Sequence, residues 1–239
     1  MIPIPKPIPG RVAPRAKLAS TIVLLRDVNG EPEILMGKRS ARHDFMPSVY
    51  VFPGGRVDRC DSYAPALDHA NSRTREILEA AMTPARAQAC VLAAIRETYE
   101  ETSLILGDKY KTRPKSMNDP SWKSFHAEGY LPVLSNIELF GRAITPPHRD
   151  KRFDTWFFLA KLDEEAAARP FKNSAELVET GWFTFAQMKK LKMHHATQLM
   201  IEQLETFLGY DNPPRDIFFS CAVRGNLCFS RFPDQSKLS

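Results

Sequence analysis

Between residues 96 and 101 the chain reads Arg96-Glu97-Thr98-Tyr99-Glu100-Glu101, three carboxylates and one guanidinium in close succession. On a helix, at about 100° per residue, Glu97, Glu100 and Glu101 share one face. Carboxylates that close repel one another unless a cation sits among them, and an all-oxygen donor set suits a hard divalent ion, Mg²⁺ or Mn²⁺. A solvated acidic face with Arg96 bonded locally to Glu100 is the competing reading of the same string. Well upstream stands Phe52-Pro53-Gly54-Gly55. Two glycines there allow a sharp bend and let the backbone approach a ligand without Cβ obstruction.

Elements must bring these two pieces together. Thr83-Pro84 is a helix start, with a hydroxyl at the N-cap and proline at the first position, and the pattern stays helical to about Thr102. Val91, Ala94, Ile95, Thr98 and Thr102 lie on a different face from the acids, suited to packing on a sheet. Leu18 to Arg26 and Glu33 to Lys38 read as strands around the Asn29-Gly30 turn, and Val49 to Phe52 as a third that runs into the glycines. Asp58 to Met82 is polar with little sustained periodicity and reads as an inserted excursion. Lys109 to Gly129 is loop-like, with Asp119-Pro120 able to start a short helix. Further strands are expected at Ile137 to Ile144, Asp154 to Leu162 and Glu176 to Phe183. A helix from Phe185 through Leu208, broken near Met193, and a tail hairpin from Phe218 to Phe229 complete the chain. Prolines 3, 5, 7, 9 and 14 favour an extended arm over residues 1–16. Residues 17–239 then form one domain of the α/β or α+β class, with an insertion at about 59–82.

The glycine bend and the acidic helix together resemble the Nudix box, Gx5Ex7REUxEExGU, of the Nudix hydrolases. Gly55 matches the first glycine; Arg96, Glu97, Glu100 and Glu101 match REUxEE; Leu104 matches the last apolar position. The box is split, because 32 residues separate Gly55 from Gln88, which is read as standing at the first glutamate where the motif has five. Thr98 stands where an aliphatic is usual, and Ser103 replaces the glycine that ends the helix in a left-handed cap. Lys38-Arg39-Ser40, Phe45-Met46-Pro47, Phe52 to Asp58, Thr145-Pro146-Pro147 and Lys151 to Phe158 resemble the branch containing peroxisomal-type acyl-CoA diphosphatases. CoA-cleaving members often carry a glycine near the place held here by Ser48. The resemblance covers roughly residues 17 to 208.

That resemblance implies an α/β/α sandwich with a mixed sheet and a long insertion within the box. It also implies metal-dependent hydrolysis of the pyrophosphate bond of a nucleoside diphosphate derivative, with CoA or acyl-CoA foremost and ADP-ribose or NAD(H) as the alternative. Glu97, Glu100 and Glu101 would hold Mg²⁺ or Mn²⁺ and Arg96 would orient them. Glu100, or Glu176 from a later loop, would accept the proton. Gly54 and Gly55 would line the substrate site, and Arg39 or Arg56 would pair with phosphate oxygens through a planar fork. Gln88 and Ser103 leave room for a rival of another class, a nucleotide-binding module that does not turn over.

The remaining features narrow the field. Among 239 residues, 33 basic and 28 acidic side chains give a net charge of +5 without dense Lys/Arg blocks, so a nucleic-acid partner is not expected. No apolar run approaches the roughly 20 residues of a membrane helix, and no GxxxxGK[ST] string marks a P-loop. Cys60, Cys90, Cys221 and Cys228 form no CxxC pair and read as reduced thiols. With no apolar leader, and with the Ser236-Lys237-Leu238 address followed by Ser239, a cytoplasmic protein is expected. His194 and His195 point about 100° apart on a helix and receive no role. His148 lies in a basic loop that either borders the substrate or simply turns, and Trp122 and Phe125 read as core before base-stacking groups. The proline arm leaves a homodimer open.

Overall fold

The computed structural model describes residues 2–5, 12–42, 46–112 and 119–233. Phe45, prolines 7 and 9 and the Ser236–Leu238 tripeptide lie outside them. A mixed sheet forms the middle layer. Its strands, in chain order, are β1 (Ile2–Pro3), β2 (Lys17–Val28), β3 (Glu31–Arg39), β4 (Tyr50–Val51), β5 (Gly54–Arg56), β8 (Ile137–Ile144), β9 (Phe153–Lys161), β10 (Leu177–Thr184), β11 (Ile217–Val223) and β12 (Asn226–Phe232). Two short strands, β6 (Gly107–Lys109) and β7 (Tyr130–Pro132), pair separately. The spatial order is β1-β12-β11-β8-β9-β2-β3-β10, with β4 beside β3 and β5 beside β2. Pairing is parallel at β2–β9 and β8–β11 and antiparallel elsewhere.

Strand alternation sends consecutive β2 side chains to opposite faces, and both faces are covered. Ile22 and Leu24 join Val91, Ala94 and Ile95 of α2 (Pro84–Thr102) and the rings of Trp122 and Phe125 from α3 (Pro120–Ala127). Val23 and Leu25 join Met188 of α5 (Phe185–Met188) and Met200, Leu204 and Phe207 of α6 (His195–Leu208). The result is the expected α/β/α sandwich. No helix among the described residues is long and apolar enough to cross a membrane.

The excursion after Asp58 is more ordered than its sequence suggests. A 3-10 turn at Arg59–Ser62 is followed by α1 (Ser72–Glu79), whose N-cap Asn71 accepts the Thr74 N–H at 2.8 Å. Polar contacts and buried apolar residues replace periodicity as the organising force. The buried Thr74 hydroxyl donates to the Ile137 carbonyl at 3.1 Å and accepts the Leu139 N–H at 3.2 Å, while Ile77 and Leu78 enter the core. The C-terminal helix is interrupted over residues 189–194, more widely than a break at Met193. Thr184 and Gln187 cap α5 reciprocally, His194 Nδ1 accepts the Ala196 N–H, and the Lys192 carbonyl is taken by the Tyr50 N–H at 2.9 Å. At the other edge Ile2–Pro3 pairs with Asn226–Leu227 of its own chain. A final short helix, α4 (Glu164–Ala168), follows β9.

Candidate functional site

The glycine bend meets the acidic helix because β5 pairs with the start of β2, Gly54 opposite Thr21 and Arg56 opposite Ala19, while α2 packs across both strands. Gly54 adopts φ 153°, and a Cβ there would lie 2.5 Å from the Ser20 carbonyl oxygen, so conformation and space both require glycine. Its N–H donates to Glu101 Oε2 at 2.9 Å. A Cβ on Gly55 would land 2.4 Å from the Glu97 carboxylate carbon. The missing side chain is the space that Glu97 occupies.

Arg96 is buried and reaches in three directions. Its Nε and Nη2 donate to both Asp61 oxygens at 2.8 and 3.0 Å, and Nη2 also donates to the Arg56 carbonyl. Nη1 donates to Glu97 Oε1 at 2.9 Å and to Glu100 Oε2 at 3.1 Å. Burial works against its charge, but the Asp61 bonds and the neighbouring glutamates more than compensate and hold the guanidinium firmly protonated. Asp61 is fully buried and also receives the Trp122 Nε1–H at 3.1 Å and the Asp58 N–H at 2.8 Å.

Asp61 corrects the motif register. Gln88 sits nine residues before Glu97, or about 900° of rotation, which places it on the opposite side of α2. There it lines a separate cavity of about 500 Å³ with His69 and Arg75. The acidic partner of Arg96 is Asp61, separated from Gly55 by five residues, so that the insertion falls between Asp61 and Arg96. The Gx5 spacing counted forward from Gly55 was the signal for it.

The acids occupy distinct environments. Burial raises Glu97 to about 7, with Arg96 opposing and Glu100 and Glu176 adding to the rise. Burial raises Glu101 to about 8, opposed by the Gly54 N–H and Arg39 and reinforced by Glu97 and Glu176. Glu100 is exposed at the edge, its pKa raised by partial burial and by Asp61 and Asp58 against the pull of Arg96. Arg39, at the end of β3, is pulled below its ordinary value by burial and held up by Glu101 and Glu176. Glu97 and Glu101 are thus the more buried acids, with Arg39 and the exposed Glu176 within electrostatic reach of them, while Glu100 and Asp58 are exposed. The Arg56 side chain is exposed on β5.

These residues fit a hard divalent cation. The donors are all oxygen, and the half-buried Glu97 and buried Glu101 carry raised pKa values that a cation would lower. Among the described residues no three acidic, His or Cys side chains already converge as a finished cage.

The box departures have local reasons. Thr98 is buried and donates its hydroxyl to the Ala94 carbonyl at 2.8 Å, which makes it acceptable where an aliphatic is usual. Ser103 ends α2 at φ 63° and donates its N–H to Tyr99, taking the left-handed position without being glycine. Ser48 likewise adopts φ 59°. Trp122 and Phe125 are core, not base-stacking groups.

No protein-family model matches the chain. A Caenorhabditis elegans protein named as a nudix hydrolase (nudix hydrolase 7) is 28% identical over 169 residues, 66% of this chain and 48% of its own length. The chain therefore spans about half of the curated relative it matches. A NUDIX hydrolase from Alicyclobacillus acidocaldarius superposes with a TM-score of 0.59 at 23% identity, over 79% of this chain and 90% of that one. The NUDIX domain of Shewanella oneidensis NrtR, solved with ADP ribose, gives a TM-score of 0.49 at 14% identity over 82% and 90% of the two chains. The architecture is that of the Nudix hydrolase structures, and over about two thirds of its length the chain is similar in sequence to the curated nudix hydrolase.

Proposed function

We propose that the chain hydrolyses the pyrophosphate bond of a nucleoside diphosphate derivative with the help of Mg²⁺ or Mn²⁺, and that CoA or an acyl-CoA is the substrate. The observation that carries the reading is the seating of Glu97 and Glu101 on the Gly54-Gly55 bend, with Arg96 fixing Glu97 and Glu100 at once. Support for CoA comes from the FPGGRVD segment; Ser48 departs from the glycine that often stands near its place, while keeping a left-handed backbone at φ 59°.

A divalent ion bound by Glu97, Glu101 and Glu100 would neutralise the diphosphate and lower the pKa of a water. The chain's own groups do the rest. Arg96, locked by Asp61, holds the carboxylates in register and does not meet the substrate. Glu100 is the exposed member of the acidic face and accepts the proton of the attacking water, with Glu176 as the alternative acceptor. Arg39, beside Glu101 and Glu176, pairs with phosphate oxygens, and the exposed Arg56 serves the outer phosphate.

The test is a panel of CoA, an acyl-CoA, ADP-ribose and NADH incubated with Mg²⁺ or Mn²⁺. Release of adenosine 3′,5′-bisphosphate from CoA at the highest kcat/KM is expected. Faster cleavage of ADP-ribose or NADH would transfer the activity to those substrates. Binding without product under either ion would leave a nucleotide-binding module.

A further inference from the structure

A cationic rim borders the acidic site. Because β2 and β3 turn back at Asn29–Gly30, Arg39 lies at the end of the sheet where β5 pairs with Ala19–Thr21 and where Phe153 pairs with Lys17. The β8–β9 loop, residues 145–152, opens at that same end. The start of α6 is brought there by the Tyr50–Met193 bridge and by the Tyr50 N–H bond to the Lys192 carbonyl, one strand from the glycine bend. Three segments carrying Arg39, His148 with Arg149, and Lys192 with His194 and His195 therefore share one rim.

The side chains interact across it. His194 is within electrostatic reach of Arg149, His195 and Arg39, and burial together with those neighbours keeps it below its ordinary pKa. His148 is shifted the same way by burial and Arg149, and its Nδ1 is buried without a hydrogen-bond partner. Arg149 is exposed, its backbone N–H closing a turn onto the Pro146 carbonyl at 3.2 Å, and among the described residues no carboxylate pairs with its guanidinium. An exposed guanidinium with two imidazoles within electrostatic reach is suited to a phosphate dianion.

We propose that this rim binds a phosphomonoester carried by the substrate away from its diphosphate, with Arg149 as the principal donor and His148 and His194 beside it. The inference rests on the hydrolase reading above and sharpens it. The favoured substrates are nucleoside diphosphate derivatives with an additional terminal phosphate, as in CoA or NADPH, over dephospho-CoA, NADH or ADP-ribose.

Steady-state kinetics on CoA and dephospho-CoA test it, using the full chain, Arg149→Ala and Arg149→Lys. A preference for CoA of about tenfold or more, expressed in KM, is expected from one charge-assisted contact. The ratio should fall toward one in Arg149→Ala and be partly kept in Arg149→Lys. Calorimetric binding of adenosine 3′,5′-bisphosphate against adenosine 5′-monophosphate and inorganic phosphate reads the rim without turnover and separates a substrate-borne phosphate from a free one. Cleavage of both CoA forms at equal kcat/KM, or equal binding of the two adenosine phosphates, would overturn the rim and leave the hydrolase standing. A retained bisphosphate preference with no cleavage of any substrate would support the rim and overturn the hydrolase. Tighter binding of inorganic phosphate than of the bisphosphate would also refute a substrate subsite.

Discussion

At the scale of single residues, the two glycines of the bend do different work. A Cβ at Gly54 meets backbone at 2.5 Å, whereas a Cβ at Gly55 meets only the tip of the Glu97 side chain. Gly54→Ala is therefore expected to lower stability outright. Gly55→Ala should fold nearly normally but displace Glu97, and a displacement of about 1 Å near reacting groups can cost about 100-fold in kcat. Thermal melts alongside kinetics of the two variants check the contrast. Glu100→Gln should reduce kcat by roughly two to four orders of magnitude as a lost general base, with Glu176→Gln as the companion; the reverse ranking would exchange their roles. The acidic face itself is legible in the sequence, because helical period alone gathers Glu97, Glu100 and Glu101 on one side. Asp61 is not, since it lies in a 3-10 turn without periodicity and is betrayed only by its distance from Gly55.

At the scale of elements, α2 depends on contacts at both ends. Ser103 holds a left-handed residue at φ 63° that glycine would adopt more easily. Ser103→Gly should stabilise the protein by about 1 kcal/mol, measured as a shift in urea midpoint with unchanged slope. Toward the insertion, the bond from Asp61 to Arg96 joins two buried charges, with Arg96 3% exposed. Asp61→Ala leaves that guanidinium without its bidentate partner and should cost roughly 3–5 kcal/mol, again by urea denaturation. The long strands and α2 are readable because their apolar patterns have clean periods. Helix α1 is not, because its eight residues are mostly polar and are held by Asn71 and Thr74 through contacts with Ile137, far away in the chain. The break before α6 is readable, but the Tyr50–Lys192 bond that anchors it comes from far away in the chain, and no local pattern encodes it.

At the scale of the whole molecule, the sandwich buries Glu101, half-buries Glu97 and leaves Glu100 at the surface. Burial raises the pKa of both Glu97 and Glu101 beyond what Arg96, Arg39 and the Gly54 N–H offset, and a bound cation would relieve the remainder. If the proposed metal binds there, Mg²⁺ at about 100 times its dissociation constant should stabilise the fold by about 2.7 kcal/mol. For a chain of this size that raises Tm by roughly 5–10 °C. A chelator should reverse the gain, and Glu97→Gln should diminish it; a melting curve indifferent to Mg²⁺ would count against the cation site.

The Asp61–Arg96 pair has a consequence for how such a chain can vary. It staples together the two ends of a segment of 34 residues, so the alignment of the catalytic face is insulated from the segment's length. Doubling a flexible loop adds only about 0.6 kcal/mol of closure cost. The part of the stretch that precedes α2, residues 62–83, is thus an exchangeable cassette, replaceable by a longer or shorter module provided the replacement refills the space of Thr74, Ile77 and Leu78.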